Sequence, residues 1–517
     1  MKKSLFTFAL LILSFYSYSQ KFVPKEKLDS LPINDRDNKS RITYDVFVRS
    51  YFDSNKDGNG DLNGLISKLS YIYNLGAEAV SLSSLNPSSS FDNFDVTDFY
   101  KIDSIYGDSA GFEKLVSEAH KLHLKVIINL QLNHCSTKHP WFLDAMKGKT
   151  SKYHDYFIWK DEKSITTDKD KWYFPVDKKG KNIQGPKYYS YFGGKTVDLN
   201  FNNQSVRDEV IKIGKYWLTT FGVDALKIDG PQAIFSENDE SKNLEWWNDF
   251  HKEMKKVNSN FYLIGDIYNT DNQPYLKNGI DATYNYELSS AINSAVINGA
   301  DSGLVERLVK HRSIFSQESP GFVDITFIAN EKQDRIMSNV DGDIEKAKLA
   351  ASILFTLPGS PLIFYGEEMG MKGQKPKEFI NEPFLWSSNA KKNGITNWEK
   401  SKYNSVEDVK PLRIQRSDSS SIISHYKKLI RLRRTSSALS GEGLVQVKVP
   451  ESGILVFMRS SSTQKVLVIH NLSPKDVSSE IELPGLVGEQ LFQIGSVLIE
   501  GKTLICAPYS SAVFLVK

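Results

Sequence analysis

Residues 205–230 read SVRDEVIKIGKYWLTTFGVDALKIDG. Val206, Val210, Ile213 and Trp217 recur at three- and four-residue spacing, which predicts a helix with one apolar face. A short apolar run, DALKIDG, follows almost at once, and its end carries an acid, Asp229. A buried strand that ends in a carboxylate is worth explaining, because a core would not choose one.

The helix-then-run unit repeats along the chain. Apolar runs occupy 42–51, 77–83, 125–132, 224–230, 261–268, 281–286, 323–330 and 361–368. Helical patterns such as DLNGLISKLSYIYNLG, AGFEKLVSEAHKLH and NLEWWNDFHKEMKKVN lie between them. Eight strands interleaved with helices predict an α/β fold, a TIM (β/α)8 barrel over 41–437, with a doubly wound open sheet as the structural alternative. The interval 135–204 is too long for a loop and is rich in Tyr, Lys, Gly and Trp, so it reads as a subdomain inserted after strand three. From 438 to 517 the pattern changes to short alternating strands (GLVQVKV, GILVFMRS, KVLVIHNL, SEIELPG, SAVFLVK), which predict a C-terminal antiparallel β-sandwich.

The chain has 517 residues, 25% of them charged, and a net charge of +3 with no basic stripe, which argues against a nucleic-acid partner. It begins MKKSLFTFALLILSFYSYSQ: two lysines, an apolar stretch, then small residues at a cleavage site. Residues 1–19 therefore read as a signal peptide, with an uncleaved anchor as the alternative, and 20–40 as a lead-in. A secreted or periplasmic protein with no membrane span after cleavage is expected. Cys135 and Cys506 read as free thiols.

Functional side chains of a (β/α)8 barrel sit at the C-terminal ends of its strands. Those ends carry Phe94 and Asp95 after strand two, Asn133 and His134 after strand three, Asp229 on strand four and Asp266 on strand five, with Asn330, Glu331 and Lys332 after strand seven. Any one of these could be a strand terminator or helix cap. Glu367 and Glu368, after strand eight, read as braces of the barrel rim. Between strand one and its helix, DSNKDGNGD (53–61) places oxygen ligands at Asp53, Asn55, Asp57 and Asp61, a spacing that suits a structural Ca²⁺. Its twelfth position is Gly64, not the Glu of an EF-hand, and a solvated turn rich in Asp and Asn is the alternative.

The segments YDVFVRSYFDSNKDGNGDLNGL, FDVTDFYKID, LQLNHCSTKHPWF, YFGGKTVDLNFNNQSVRDEV, GVDALKIDG, LIGDIY, FIANEKQDR and PLIFYGEEMGM together resemble glycoside hydrolase family 13, the α-amylase and oligo-α-glucosidase family, over nearly the whole mature length. The resemblance implies a retaining mechanism on α-glucosidic bonds, with α-glucan or oligosaccharide as ligand. It places the nucleophile at Asp229, the general acid at Asp266 where the family has Glu, and the third carboxylate at Lys332. Sugar-binding positions fall on Phe94 (usually Tyr), Asp95, His134, Lys227 (usually Arg), Asn330 and Glu331 (usually His). Asn129 stands where the strand-three motif opens with Asp. The loop at 53–61 resembles the family's calcium loop.

These departures run against hydrolysis. Asp266 is a methylene short, and a displacement of about 1 Å can cost roughly 100-fold in rate. An ammonium in place of a carboxylate changes the local charge by two, each unit worth roughly 3 kcal/mol at about 5 Å and an effective dielectric near 20. It is also expected to lower the pKa of Asp266, where a general acid needs it raised. Two rescues are conceivable: Glu331 swings in as the missing carboxylate while Lys332 pairs elsewhere, or Lys332 is neutral in a dry pocket. The expectation is an α-amylase-family protein with hydrolysis lost or strongly impaired. The alternatives are an active α-glucosidase with a modified site, a non-catalytic sugar binder, a subunit that acts with a protein partner, and a protein for an unusual sugar whose anionic group Lys332 binds.

Overall fold

Strand closure settles the architecture. In the computed structural model, which describes residues 40–161, 171–235, 239–268, 272–319, 321–388, 394–483 and 485–517, each of the eight apolar runs contains one strand. They are β1 (Thr43–Val46), β2 (Ala79–Leu82), β3 (Lys125–Leu130), β4 (Ala225–Asp229), β5 (Tyr262–Asp266), β6 (Ala282–Tyr284), β7 (Val323–Thr326) and β8 (Ser360–Phe364). Each pairs in parallel with the next in sequence, and β8 returns to β1 through Thr43↔Leu362, so the sheet is a closed barrel and not an open one. Residues 1–19, expected as a signal peptide, and most of the expected lead-in lie outside the described residues. No described helix is long and apolar enough to cross a membrane.

Side chains alternate along a barrel strand, and this places the chemistry. Ala225 and Ile264 belong to the cluster that fills the barrel, with Ala79, Ile127, Val323, Ile325 and Leu362. Two-residue steps from Ala225 then turn Lys227 and Asp229 inward, while Leu226 and Ile228 pack outward on the helices. The register sets Asp229 beside Asp266 and Lys227 beside Ile264.

The helices close the outside. α1 (Leu62–Leu75) starts at Asp61, whose side chain accepts the Gly64 N–H, and stops at the left-handed Gly76. α2 (Ser109–Lys121), α3 (Gln204–Phe221), α4 (Glu240–Val257), α5 (Tyr286–Asn298), α6 (Leu304–Glu318), α7 (Ile344–Thr356) and α8 (Ile422–Thr435) follow. The segment after β3 leaves and returns beside the barrel mouth, pinned by antiparallel pairing of His134–Ser136 with Thr196–Asp198. Between these lies a small sheet of three short strands.

The C-terminal region holds β9 (Gly443–Gln446), β10 (Ile454–Ser460), β11 (Lys465–Asn471), β12 (Val477–Glu480), β13 (Val487–Ile494), β14 (Val497–Glu500), β15 (Thr503–Cys506) and β16 (Ser511–Val516). They form two antiparallel sheets, β9-β10-β11-β16-β13 and β12-β15-β14. Ile454, Val456, Leu467, Leu504 and Cys506 pack between the sheets, whereas Leu455, Phe457, Val466 and Val468 join the main core with the barrel helices. Both cysteines are free and buried.

Two buried arginines meet at the junction with the barrel, and the second of them, Arg459, ties this region to it. Arg433 of α8 donates to the carbonyls of Phe355 (2.9 Å), Leu357 (2.7 Å) and Gly359. Arg459 of β10 donates to the carbonyls of Thr356, Leu439, Gly441 and Gly443. Several of these carbonyls belong to the last turn of α7, where a helix has no partner of its own and carries partial negative charge.

Candidate active site at the barrel mouth

Lys332 is the hinge of the site. Its Nζ donates to Asp229 Oδ1 at 2.7 Å and to Asp266 Oδ2 at 2.6 Å, tying the ends of β4 and β5 together. The backbone N–H of Lys332 donates to Asn330 Oδ1 (2.9 Å), which fixes the turn after β7 that aims the ammonium inward. Asn330 is wholly buried, and its amide donates to the Tyr286 hydroxyl (3.1 Å). That hydroxyl in turn donates to Asp266 Oδ1 (2.6 Å).

Each charge has named partners. Asp229 Oδ2 accepts from Asn129 (2.8 Å) and Gln131 (2.7 Å), both at the end of β3. Lys227 donates to Glu331 at 2.7 Å, lies 3.7 Å from Asp266 and sits 5.1 Å over the Tyr284 ring. Oxygens of Asp229, Asp266 and Glu331 all fall within 4.8 Å of one another, the one such group of three acids, histidines or cysteines among the described residues.

Burial and pairing compete at every member. For Asp229, burial would raise the pKa, but Lys332, Lys227 and the Gln131 amide hold it well below the usual carboxylate range. Glu331 is likewise held down, against burial, by Lys227 and Lys332. At Asp266 the balance goes the other way: burial outweighs the pull of Lys332 and Lys227, and its pKa is raised. The expected lowering is therefore corrected. Asp266 is almost fully covered, 1% exposed, and shares Lys332 with a second carboxylate. Lys332 itself is raised above its ordinary range, because Asp229, Asp266 and Glu331 outweigh its burial. It is an ammonium, which removes the neutral-lysine rescue. Glu331 does reach the acid cluster, but its partner is Lys227, and Lys332 has not moved aside to pair elsewhere.

A family model described as the α-amylase catalytic domain matches residues 45–442, and one described as the α-amylase SusG C-terminal domain matches 454–513. The chain belongs to the α-amylase family. It is similar to "Alpha-amylase 3" of Dictyoglomus thermophilum, 37% identical over 92% of this chain and 93% of that one. It is also similar to a 4-alpha-glucanotransferase of Thermotoga neapolitana, 31% identical over 84% of this chain and 96% of that one. The crystal structure of an α-amylase from H. orenii superposes with a TM-score of 0.83, at 33% identity over 93% of this chain and 100% of that one.

Against this family background, not every residue named from the sequence reaches the cleft. Asp229, Asp266, Lys332 and Phe94 line an outer cleft of about 760 Å³, together with Tyr191, Phe192, Tyr268, Tyr286 and Gln333. Lys227, Glu331, Asn129 and Gln131 line a smaller inner cavity, about 30 Å³, which Asp229 and Phe94 also border. Asp95 borders neither. It is 3% exposed and accepts from Ser88, Ser89, the Ser90 N–H (2.8 Å) and the Ser136 hydroxyl (3.1 Å). These bonds fold the serine turn under the mouth. His134 also borders neither, standing behind Phe94 at 4.5 Å between ring centroids with Nε2 3.0 Å from the Phe94 carbonyl. Burial lowers its pKa to about 4, so it is neutral.

Sequence reading missed Gln131, Tyr286 and Asp45. Asp45 lies one step inside β1, where burial and then Glu331 push its pKa up to about 7. An inward carboxylate in the run ITYDVFVRSY was the available signal.

The loop at 53–61 is closed on itself. Asp53 accepts the N–H groups of Lys56 (2.6 Å) and Gly58 (2.9 Å), and Asp61 accepts from Ser54 (2.7 Å) and Gly64 (2.8 Å). Asn55 Oδ1 accepts the Asp57 N–H (2.9 Å). Three carboxylates do not converge there, so in this conformation the loop does not fit a cation held by Asp53, Asp57 and Asp61 together.

Proposed function

We propose that this α-amylase-family protein binds an α-glucan or related oligosaccharide at the barrel mouth and hydrolyses it very slowly or not at all. The observation that carries the reading is the ammonium of Lys332, bonded at once to Asp229 and Asp266. In retaining hydrolysis one carboxylate attacks the anomeric carbon, a second protonates the leaving oxygen, and the transition state is a cation. At the nucleophile position, one oxygen of Asp229 is bound by Lys332 and the other by two amides. A second cation there opposes the developing charge by roughly 3 kcal/mol per unit at about 5 Å.

A second reading, an active glycosidase with a modified site, is favoured by one observation. The raised pKa of Asp266 suits a general acid. Hydrolysis of maltooligosaccharides and an aryl α-glucoside by the wild type and Asp229→Ala, alongside calorimetric binding, separates the two. Binding without turnover supports the first reading, whereas turnover abolished by Asp229→Ala overturns it. Neither binding nor turnover, with another protein co-purifying, supports the partner role. Activity gained by the Lys332→Asp, Asp266→Glu double variant would confirm the assignment of positions.

Export is part of the proposal and rests on residues 1–19; a mature chain beginning near Gln20 in the culture fluid or periplasm is its test. Ca²⁺ at Asp53, Asn55, Asp57 and Asp61 is a separate proposal, which requires the loop to open some of its internal bonds. A Ca²⁺-dependent rise in Tm, absent in Asp53→Ala, supports it.

A further inference from the structure

Two spaces meet at Asp229, and they differ greatly in size. The outer cleft holds about 760 Å³ and the inner cavity about 30 Å³, the scale of a single water. The inner walls are held by charge: Lys227 is bonded to Glu331 at 2.7 Å, and Lys377 to Asp92 at 2.7 Å. Lys332 borders only the outer cleft, with its Nζ on both aspartates and about a third of its side chain (35%) open to solvent.

The outer cleft carries apolar surface that the fold does not use. Tyr268 is 52% exposed and Phe192 is 38% exposed, although aromatic rings usually gain from cover. Tyr268 meets the Tyr286 ring at 5.0 Å and 77°, and Phe192 meets Phe94 at 5.2 Å and 90°. The exposed rings are thus braced edge to face by aromatic neighbours. Gln232, Asn243, Gln333 and Lys375 supply polar groups in the same cleft. Braced aromatic faces with a few polar groups around them suit the C–H face and hydroxyl rim of a sugar.

We infer that Lys332 is a plug: it confines a bound saccharide to the outer cleft, where Tyr268 and Phe192 hold it, and keeps the ring from reaching the depth of Asn129 and Gln131. This rests on the sugar-binding reading above. The test is calorimetry of the full chain with maltotetraose, in the wild type, Tyr268→Ala and Phe192→Ala, together with a crystal structure of the complex. Each variant is expected to weaken Kd about tenfold or more, with Tyr268→Phe restoring affinity to within about threefold. The wild-type complex should place sugar on Tyr268 and Phe192 and none against Asn129, whereas in a Lys332→Ala complex the sugar should lie deeper, toward Asn129; sugar in the same place in both overturns the plug. Both rings are partly exposed, so the variants should unfold at the wild-type temperature. A wild type that binds no maltooligosaccharide overturns the sugar-binding reading itself. A wild type that binds, with Kd unchanged in both variants or with a pyranose seated against Asn129 and Gln131, overturns the plug and leaves binding intact.

Discussion

Two groups of acids lie at the C-terminal ends of strands in this barrel, and they have different partners. At the mouth, Asp229, Asp266 and Glu331 share two ammoniums, Lys227 and Lys332. After β8, Glu367 and Glu368 are buried with phenols: Tyr44 (2.7 Å) and Tyr71 (2.6 Å) donate to Glu368, and Tyr426 (2.8 Å) donates to Glu367. Burial then raises both glutamates, Glu367 to about 8, so at neutral pH Glu367 is mostly an uncharged acid. An ammonium compensates a buried charge, whereas a phenol satisfies a lone pair without cancelling one. The rim glutamates therefore brace the fold, while at the mouth the ammoniums hold Asp229 and Glu331 as carboxylates.

The largest test of this contrast is Lys227→Met. Lys227 is 2% exposed, and its loss takes the nearest cation from the mostly covered Glu331 and leaves the buried Asp266 with Lys332 alone. Urea unfolding should show a loss of about 3–5 kcal/mol; a change under about 1 kcal/mol would mean the mouth is not held together by charge.

The rim predicts a pH dependence of opposite sign. Between 4.5, the ordinary value, and about 8, folded Glu367 keeps a proton that the unfolded chain has released. Its contribution to stability therefore falls as pH rises through that window and is flat above it. Asp229, depressed by Lys332 and Lys227, contributes stability above 3.8 that is lost as pH falls. Glu367→Gln should flatten the decline between 4.5 and about 8 and exceed the wild type by about 2 kcal/mol at pH 9. Unchanged curves would put the decline elsewhere, with Asp45 as the next group to substitute.

Lys332→Met should cost less than Lys227→Met, about 1–2 kcal/mol, because a third of the Lys332 side chain is open and solvent screens what remains. The smallest effect belongs to Glu368→Gln, under about 1 kcal/mol, since the amide oxygen still accepts from Tyr44 and Tyr71. A loss as large as that of Lys227→Met would show that Glu368 is charged and that the two regions are alike.

The strands were legible because each buried run has a sharp polar end and a helix beside it. The inward facing of Lys227 and Asp229 follows from strand alternation alone. What sequence could not supply is distance. Lys332 stood out as a cation where an acid belongs, but nothing in FIANEKQDR says that its ammonium touches two aspartates, or that burial still raises one of them. Distance is hidden at Asp95 and His134 too: they follow strand ends, and no run of residues shows that their side chains turn to Ser88–Ser90 and to the Phe94 carbonyl. Phe192 and Tyr268 sit in segments without periodicity, where an aromatic for the core and one for the cleft look alike.

Arg433 and Arg459 bear on how the molecule comes apart. The carbonyls that end α7 are bound by a guanidinium from α8 and another from β10, about a hundred positions further along the chain. A polypeptide stopped after the barrel would keep every strand of the mouth and Arg433, yet leave the Thr356 carbonyl without Arg459 and expose an apolar surface stripped of Leu455 and Phe457. Barrel and sandwich should therefore melt in a single transition, and protease fragments ending near residue 440 should not accumulate.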